Sequence, residues 1–262
     1  MKNNNYWINK DDRMNKAKAW VKKMDAEHSS EIEDCVKNTI IYSDKNVQQP
    51  TKRNVNTHIE LTYLDSVSAV LKYAPEGHAA VLNFASYKEP GGMFLQGSRA
   101  QEECLCHESI LYNVLREFET SYYSENKKDL NRAMYRNKAL YSPNVYFERE
   151  GKIVLCDVIT CAAPNFTTAS KYCNVTKEQN SLVLMKRIKF VLDIATMQNV
   201  DTLILGAYGA GVFGQDAVEV ATITKDLLHH YSFKNVIFAI IDRNSENYKA
   251  FKTILEEKNI EK

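Results

Sequence analysis

Glycine and proline are scarce in this chain, nine and five among 262 residues. That excludes collagen-like repeats and glycine- or proline-rich linkers, and no internal repeat or low-complexity tract is visible. Net charge is also nearly missing: 34 basic residues against 33 acidic ones leave a formal charge of +1. Without a global positive field, general nucleic-acid binding and attachment to a membrane surface are not expected. No apolar run is long enough to span a bilayer, and the opening MKNNNYWINKDDR has no apolar segment of a signal peptide. A cytoplasmic protein is therefore expected. The six cysteines form no CxxC pair and read as reduced thiols. Cys104, Cys106 and His107 are the one grouping that suggests a metal. On a helix, however, Cys104 and Cys106 lie about 200° apart, so no metal and no cofactor is expected.

What is present is an alternation of apolar runs, turns and helical patterns. Residues 1–37 read as a lysine-rich helical extension with Trp20, Val21 and Met24 at helical spacing, followed by a short strand at 39–42 and a polar loop. HIELTYL (58–64) reads as a strand, with Asp65 capping the helix after it. HAAVLNFAS (78–86), DTLILGA (201–207) and NVIFAII (235–241) read as buried strands, and 144–160 as a hairpin turning at Glu150-Gly151. Ser98-Arg99-Ala100-Gln101 has capping-box spacing and predicts one helix from about 98 through Leu115. The stretch 122–141 is expected to be helical in part. Further helices are expected from Thr176 to about Gln198, after Asp216, and from about Ser245. The fold class expected is a three-layer α/β/α domain with a mixed central sheet, residues 1–56 forming an N-terminal extension and 57–262 the core.

The few glycines are concentrated. Gly91, Gly92 and Gly97 lie between one buried strand and a helix, and Gly206, Gly209, Gly211 and Gly214 occupy the same place after another. Glycine at a strand-to-helix junction allows positive φ and lets backbone N–H groups approach a ligand. The helix behind it presents unpaired N–H groups to an anion. Two such loops at the carboxyl ends of strands are expected to face one crevice and to hold a diphosphate. Gly209, Gly211 and Gly214 also spell GxGxxG, with Asp242 ending the next strand, which fits a Rossmann dinucleotide site. Against this, 48 residues follow Gly214, too few to complete such a fold, and the first loop is left without a purpose.

Gln101, Glu102 and Glu103 stand in the first turns after the first loop. Acidic residues there complement the helix dipole, but beside an anion-binding crevice they would repel the ligand unless they have a role. Adjacent helical residues point about 100° apart, so the two glutamates are expected to have different surroundings and different roles.

At this point the stretch VLNFASYKEPGGMFLQGSRAQEECLCHES resembles the signature of the microbial-type poly(ADP-ribose) glycohydrolases, a glycine-rich stretch followed by QEE. The likeness continues through LYSPNV, DVITCAAPN and LILGAYGAGVFG, covering roughly residues 56–242. The resemblance implies a macrodomain fold with an N-terminal helical extension. It implies poly(ADP-ribose) or ADP-ribosylated macromolecules as substrate and ADP-ribose as product. Carried over to this chain, it makes Glu103 a general acid of raised pKa and has Glu102 hydrogen-bond a ribose hydroxyl. Asn83 would contact the distal ribose. Gly91, Gly92 and Gln101 join the substrate site, and Gly209, Ala210, Gly211, Val212, Phe213 and Gly214 form the diphosphate loop, with Phe213 packing on the ligand. Asp65 resembles the aspartate that receives the adenine amino group, and reads equally well as a plain helix cap. The chain departs from the family at Met93, where a third glycine is usual. Met93 is expected to take an ordinary backbone conformation and to form part of the cleft wall. Within the same fold, hydrolysis of single ADP-ribose units and non-catalytic ADP-ribose binding are the alternatives.

Overall fold

The computed structural model describes residues 9–48 and 56–257. Residues 1–8 and 49–55 of the expected N-terminal extension, the latter part of its expected polar loop, lie outside the described residues. The extension contributes helices α1 (Lys10–Glu27) and α2 (Ser29–Asn38). Strands β1 (Ile40–Ser43) and β2 (His58–Thr62), helix α3 (Ser66–Tyr73) and strand β3 (Ala79–Phe84) follow. Next come short helices α4 (Gln101–His107), α5 (Leu111–Leu115) and α6 (Ser124–Lys127), then the long hairpin β4 (Lys138–Arg149) and β5 (Lys152–Cys161). Helices α7 (Phe166–Cys173) and α8 (Lys177–Met197), strand β6 (Thr202–Leu205), helix α9 (Ala217–Leu228), strand β7 (Asn235–Ala239) and helix α10 (Glu246–Glu256) follow among the described residues.

Among the described residues seven strands form one sheet in the order β1-β4-β5-β3-β6-β7-β2. Only β4 runs against the rest, pairing antiparallel with β1 and β5, so the sheet is mixed as expected. Alternate residues of each inner strand face opposite layers. Val81, Val158, Ile204 and Ile237 pack under α1 to α5, whereas Leu82, Ile159, Leu203 and Phe238 pack under α8, α9 and α10. Burying each such side chain stabilises the fold by roughly 1.5–3 kcal/mol, which explains why near-continuous apolar runs form these strands. Glu150 and Gly151 turn the hairpin, both at positive φ (52° and 77°). Asp65, Thr176 and Asp216 cap α3, α8 and α9 through their side chains. No helix among the described residues is long and apolar enough to cross a membrane.

Two expectations need correction. The helix after the first glycine loop starts at Gln101 with Ala100 as its N-cap, so Ser98 caps nothing there. It also does not run through to Leu115. The β4–β5 hairpin curls back over it, and Ile110 N–H donates to Tyr146 O (3.1 Å) while Glu148 N–H donates to Glu108 O (2.9 Å). Those sheet-like bonds pull 108–110 out of the helix, and Ser109 bridges the break by donating to Leu105 O and accepting from Leu111 N–H. Helix α7 was not foreseen.

Candidate active site

Both glycine loops rise from neighbouring strands, because β3 and β6 pair in parallel at the centre of the sheet. Their carboxyl ends meet: Phe84, ending β3, has its ring 3.0 Å from where a Cβ on Gly206 would stand. The loops therefore border one crevice.

The first loop is built around two carboxyls. Gly91 and Gly92 both take left-handed φ, 64° and 60°. A Cβ on Gly92 would stand 2.6 Å from a Glu103 oxygen and 2.8 Å from a Glu102 oxygen. Glycine is required there because both side chains press on its Cα. Glu103 clips the loop to its helix: Oε1 accepts from Met93 N–H (2.9 Å) and Oε2 from Ala100 N–H (2.8 Å). Glu102 turns the other way. Its Oε2 accepts from Ser86 N–H (2.7 Å) and its Oε1 from Asn83 Nδ2 (3.2 Å). The two glutamates thus occupy different surroundings, and both are buried, 3% and 5% exposed.

Burial pushes the Glu102 carboxyl up to about 8, against the Ser86 N–H and the Asn83 amide that favour its charged form; the neighbouring Glu103 adds to the rise. Burial thus favours the acid form of Glu102 at neutral pH. Asn83 also donates to Thr160 Oγ1 (3.3 Å), and its buried Oδ1 accepts no hydrogen bond among the described residues.

Gln101 is brought to the site but used as a clamp. Its Oε1 accepts from Phe84 N–H (2.8 Å), and its Nε2 donates to Leu82 O and Ser66 Oγ, fastening the end of β3 to α3. Asp65 caps α3 by accepting from Val67 and Ser68 N–H and also takes a two-pronged ion pair from Arg149. Burial pushes its carboxyl up, but Arg149 and Ser68 outweigh that and hold it below the usual range. Of the two readings of Asp65, its visible contacts are those of a cap. Met93 has φ −106° and is 55% exposed, an unstrained residue at the crevice rim.

The second loop is anchored at its ends and open in the middle. A Cβ on Gly209 would stand 2.8 Å from Ala163 Cβ, and one on Gly214 would collide with Thr167. Gln215 fixes the far end, exchanging hydrogen bonds with Asn180 and donating to Pro164 O. Ala210 N–H is spent on Ala207 O, but the N–H groups of Gly211, Val212 and Phe213 donate to nothing among the described residues. Val212 is 83% exposed, and the half-buried Phe213 leans on Tyr135. Asp216 occupies the Val218 and Glu219 N–H groups of α9, so the loop itself, not the helix end, offers free N–H groups.

Cys104, Cys106 and His107 do not converge. Cys104 Sγ contacts Arg99 O, Cys106 is buried beneath Gly91, and His107 meets the edge of Phe94, with burial, Lys16 and Arg13 pushing its pKa down to about 4. Sequence reasoning missed Ser86 and Thr160, which contribute a backbone N–H and a hydroxyl whose value depends wholly on what folds against them.

A mixed sheet covered on both faces, with its crevice at the carboxyl ends of the central parallel strands, makes this an α/β protein of macrodomain-like fold. Its GxGxxG loop lies outside the strand order of a Rossmann domain. A family model described as the microbial-type poly(ADP-ribose) glycohydrolase (PARG) catalytic domain matches residues 13–150, and the chain belongs to that family. It is similar to the PARG of Deinococcus radiodurans solved with ADP-ribose: 29% identity, 86% of this chain and 97% of that one covered, TM-score 0.78. It is also similar to the PARG of Thermomonospora curvata, at 27% identity, 92% and 98% coverage and TM-score 0.83. The Thermomonospora enzyme bound to the inhibitor ADP-HPD superposes with TM-score 0.80 at the same identity and coverage. Comparison with curated proteins gives no match.

Proposed function

We propose that the protein is a cytoplasmic poly(ADP-ribose) glycohydrolase, a single catalytic domain with its N-terminal extension at 1–56, that cleaves ribose–ribose O-glycosidic bonds and releases ADP-ribose. The observation that carries this reading is the pair of buried carboxyls against Gly92 after β3, with unused N–H groups at Gly211, Val212 and Phe213 in the loop after the adjacent β6. In this reading those N–H groups take the diphosphate, Phe213 packs on the ligand, and Asn83 meets the distal ribose. The glycosidic bond breaks as Glu103 hands a proton to the departing hydroxyl oxygen, leaving an oxocarbenium-like ribose. Water then adds to C1″ and its proton returns to the carboxylate. Glu102 hydrogen-bonds a ribose hydroxyl, and burial, which raises its carboxyl to about 8, keeps on the pair at neutral pH the one proton that Glu103 delivers.

A second reading of the chemistry has Glu102 deliver the proton itself, and its raised pKa favours it. Comparing Glu102→Gln with Glu103→Gln separates the two, because the larger loss of turnover marks the donor. The activity itself is tested by incubating the protein with poly- and mono-ADP-ribosylated targets and identifying the products by mass. ADP-ribose released from polymer is expected. Release only from single-unit targets would move the assignment to a mono-ADP-ribosyl hydrolase, and binding without product would make the protein an ADP-ribose reader.

A further inference from the structure

Arg187, in the middle of α8, is 0% exposed, the largest fully buried side chain described. Its guanidinium donates to three neutral oxygens: Ala162 O, Asn137 Oδ1 (2.7 Å) and Met134 O (3.4 Å). Among the described residues no Asp or Glu lies within ion-pair distance of it. Arginine stays protonated in proteins, and a buried charge without a counter-charge is costly. Carbonyl oxygens solvate such a charge but do not cancel it.

Its position suggests where a counter-charge would come from. Ala162 follows directly on β5, and the next residue, Ala163, is packed against Gly209 at the start of the second glycine loop. Ala162 itself packs with Tyr87, Tyr135 and Phe213. The guanidinium therefore bonds to backbone that packs against this loop, at Gly209 through Ala163 and at Phe213 through Ala162. The hydrogen bond to Met134 O also helps hold the turn at 131–135, where Asn131, Arg132, Ala133 and Tyr135 all take positive φ. Non-glycine residues adopt that conformation at a cost, and such clusters belong to over-determined sites. Here the turn stacks Tyr135 on Tyr87 (4.3 Å between centroids) behind Phe213.

We propose that Arg187 is the buried counter-charge for the ligand's diphosphate, acting through the Ala162–Ala163 backbone as a positioning and electrostatic residue without touching the ligand. This rests on the reading that the crevice takes ADP-ribose. Low local polarity lets a buried charge act across such a gap with little screening by salt.

Asn137 allows a test that leaves Arg187 in place. Its Oδ1 accepts from Arg187, and its Nδ2 donates to Asp44 (2.9 Å). Exchanging the two, Asn137→Asp with Asp44→Asn, keeps both hydrogen bonds and the net charge but gives Arg187 a carboxylate of its own. Titration of this double variant with ADP-ribose is expected to show affinity about tenfold weaker than wild type. Affinity for adenosine, which carries no phosphate, is expected to be unchanged. In parallel, Arg187→Lys should retain more ADP-ribose affinity than Arg187→Met. Unchanged ADP-ribose affinity in the double variant, or equal loss for both ligands, overturns the role assigned to Arg187 alone. A wild-type protein that fails to bind ADP-ribose overturns the reading of the crevice as well.

Discussion

The loop after β3 is held from within, by two carboxyls of the helix it feeds, whereas the loop after β6 is held at its ends and left open between them. At Gly92 glycine is required because the Glu102 and Glu103 side chains occupy the space a Cβ would fill. At Gly209 and Gly214 it is required by packing against Ala163 and Thr167, while a Cβ at Gly211 would meet nothing within 4 Å. The same residue type thus does two jobs. In the first loop it makes room for two buried carboxyls, and in the second it anchors a loop with unused N–H groups at residues 211–213.

If the first loop is the chemical one, its substitutions should abolish turnover while sparing binding. Glu103→Gln is expected to lower turnover by about 10²–10⁴-fold, measured as ADP-ribose released from polymer. An amide also cannot accept at both ends, so Met93 or Ala100 loses its acceptor, and thermal stability should fall by about 1–3 kcal/mol. Gly92→Ala must push both carboxyls aside and incurs about 1–2 kcal/mol of left-handed strain, and we expect turnover reduced about 100-fold. Wild-type turnover in either variant would mean that the carboxyls at this loop are not the reactive groups.

A pH profile separates the roles of the pair. Glu102 is pushed up to about 8, so its proton is present below that pH and lost above it. Turnover should therefore fall as pH rises through about 8, by roughly tenfold at one unit above, and Glu102→Gln should remove that limb. The sign for stability follows: the folded state holds a proton that the unfolded chain releases near 4.5, so the Glu102 contribution weakens as pH rises from about 4.5 to about 8.

For the second loop the contrast is internal. Gly214→Ala, colliding with Thr167, should weaken ADP-ribose binding about tenfold, whereas Gly211→Ala should change it by less than about twofold. Calorimetric titration of the two decides whether the loop is a held cradle or a pliable strap. A modest effect is expected at Met93. Its backbone is unstrained and its N–H already serves Glu103, so Met93→Gly should weaken ADP-ribose binding about threefold through added loop entropy. Tighter binding and faster turnover in that variant would identify the methionine as an obstruction.

Much of this was legible along the chain because its causes are local. Asp65, Thr176 and Asp216 announce α3, α8 and α9 by accepting N–H bonds two or three residues away. The strands show themselves through apolar runs, and the two loops through the clustering of scarce glycines. The pairing of those loops on adjacent strands, the end of α4 at residues 108–110 under the β4–β5 hairpin, the use of Gln101 as a clamp and the ion pair of Arg149 with Asp65 were decided only in three dimensions. So was the division between the glutamates. Two identical adjacent side chains carry no local sign of which will be sealed against Asn83 and Ser86 and which will clip Met93 to Ala100. The rise of the Glu102 pKa comes from burial, and that burial is set by residues that approach from elsewhere in the chain.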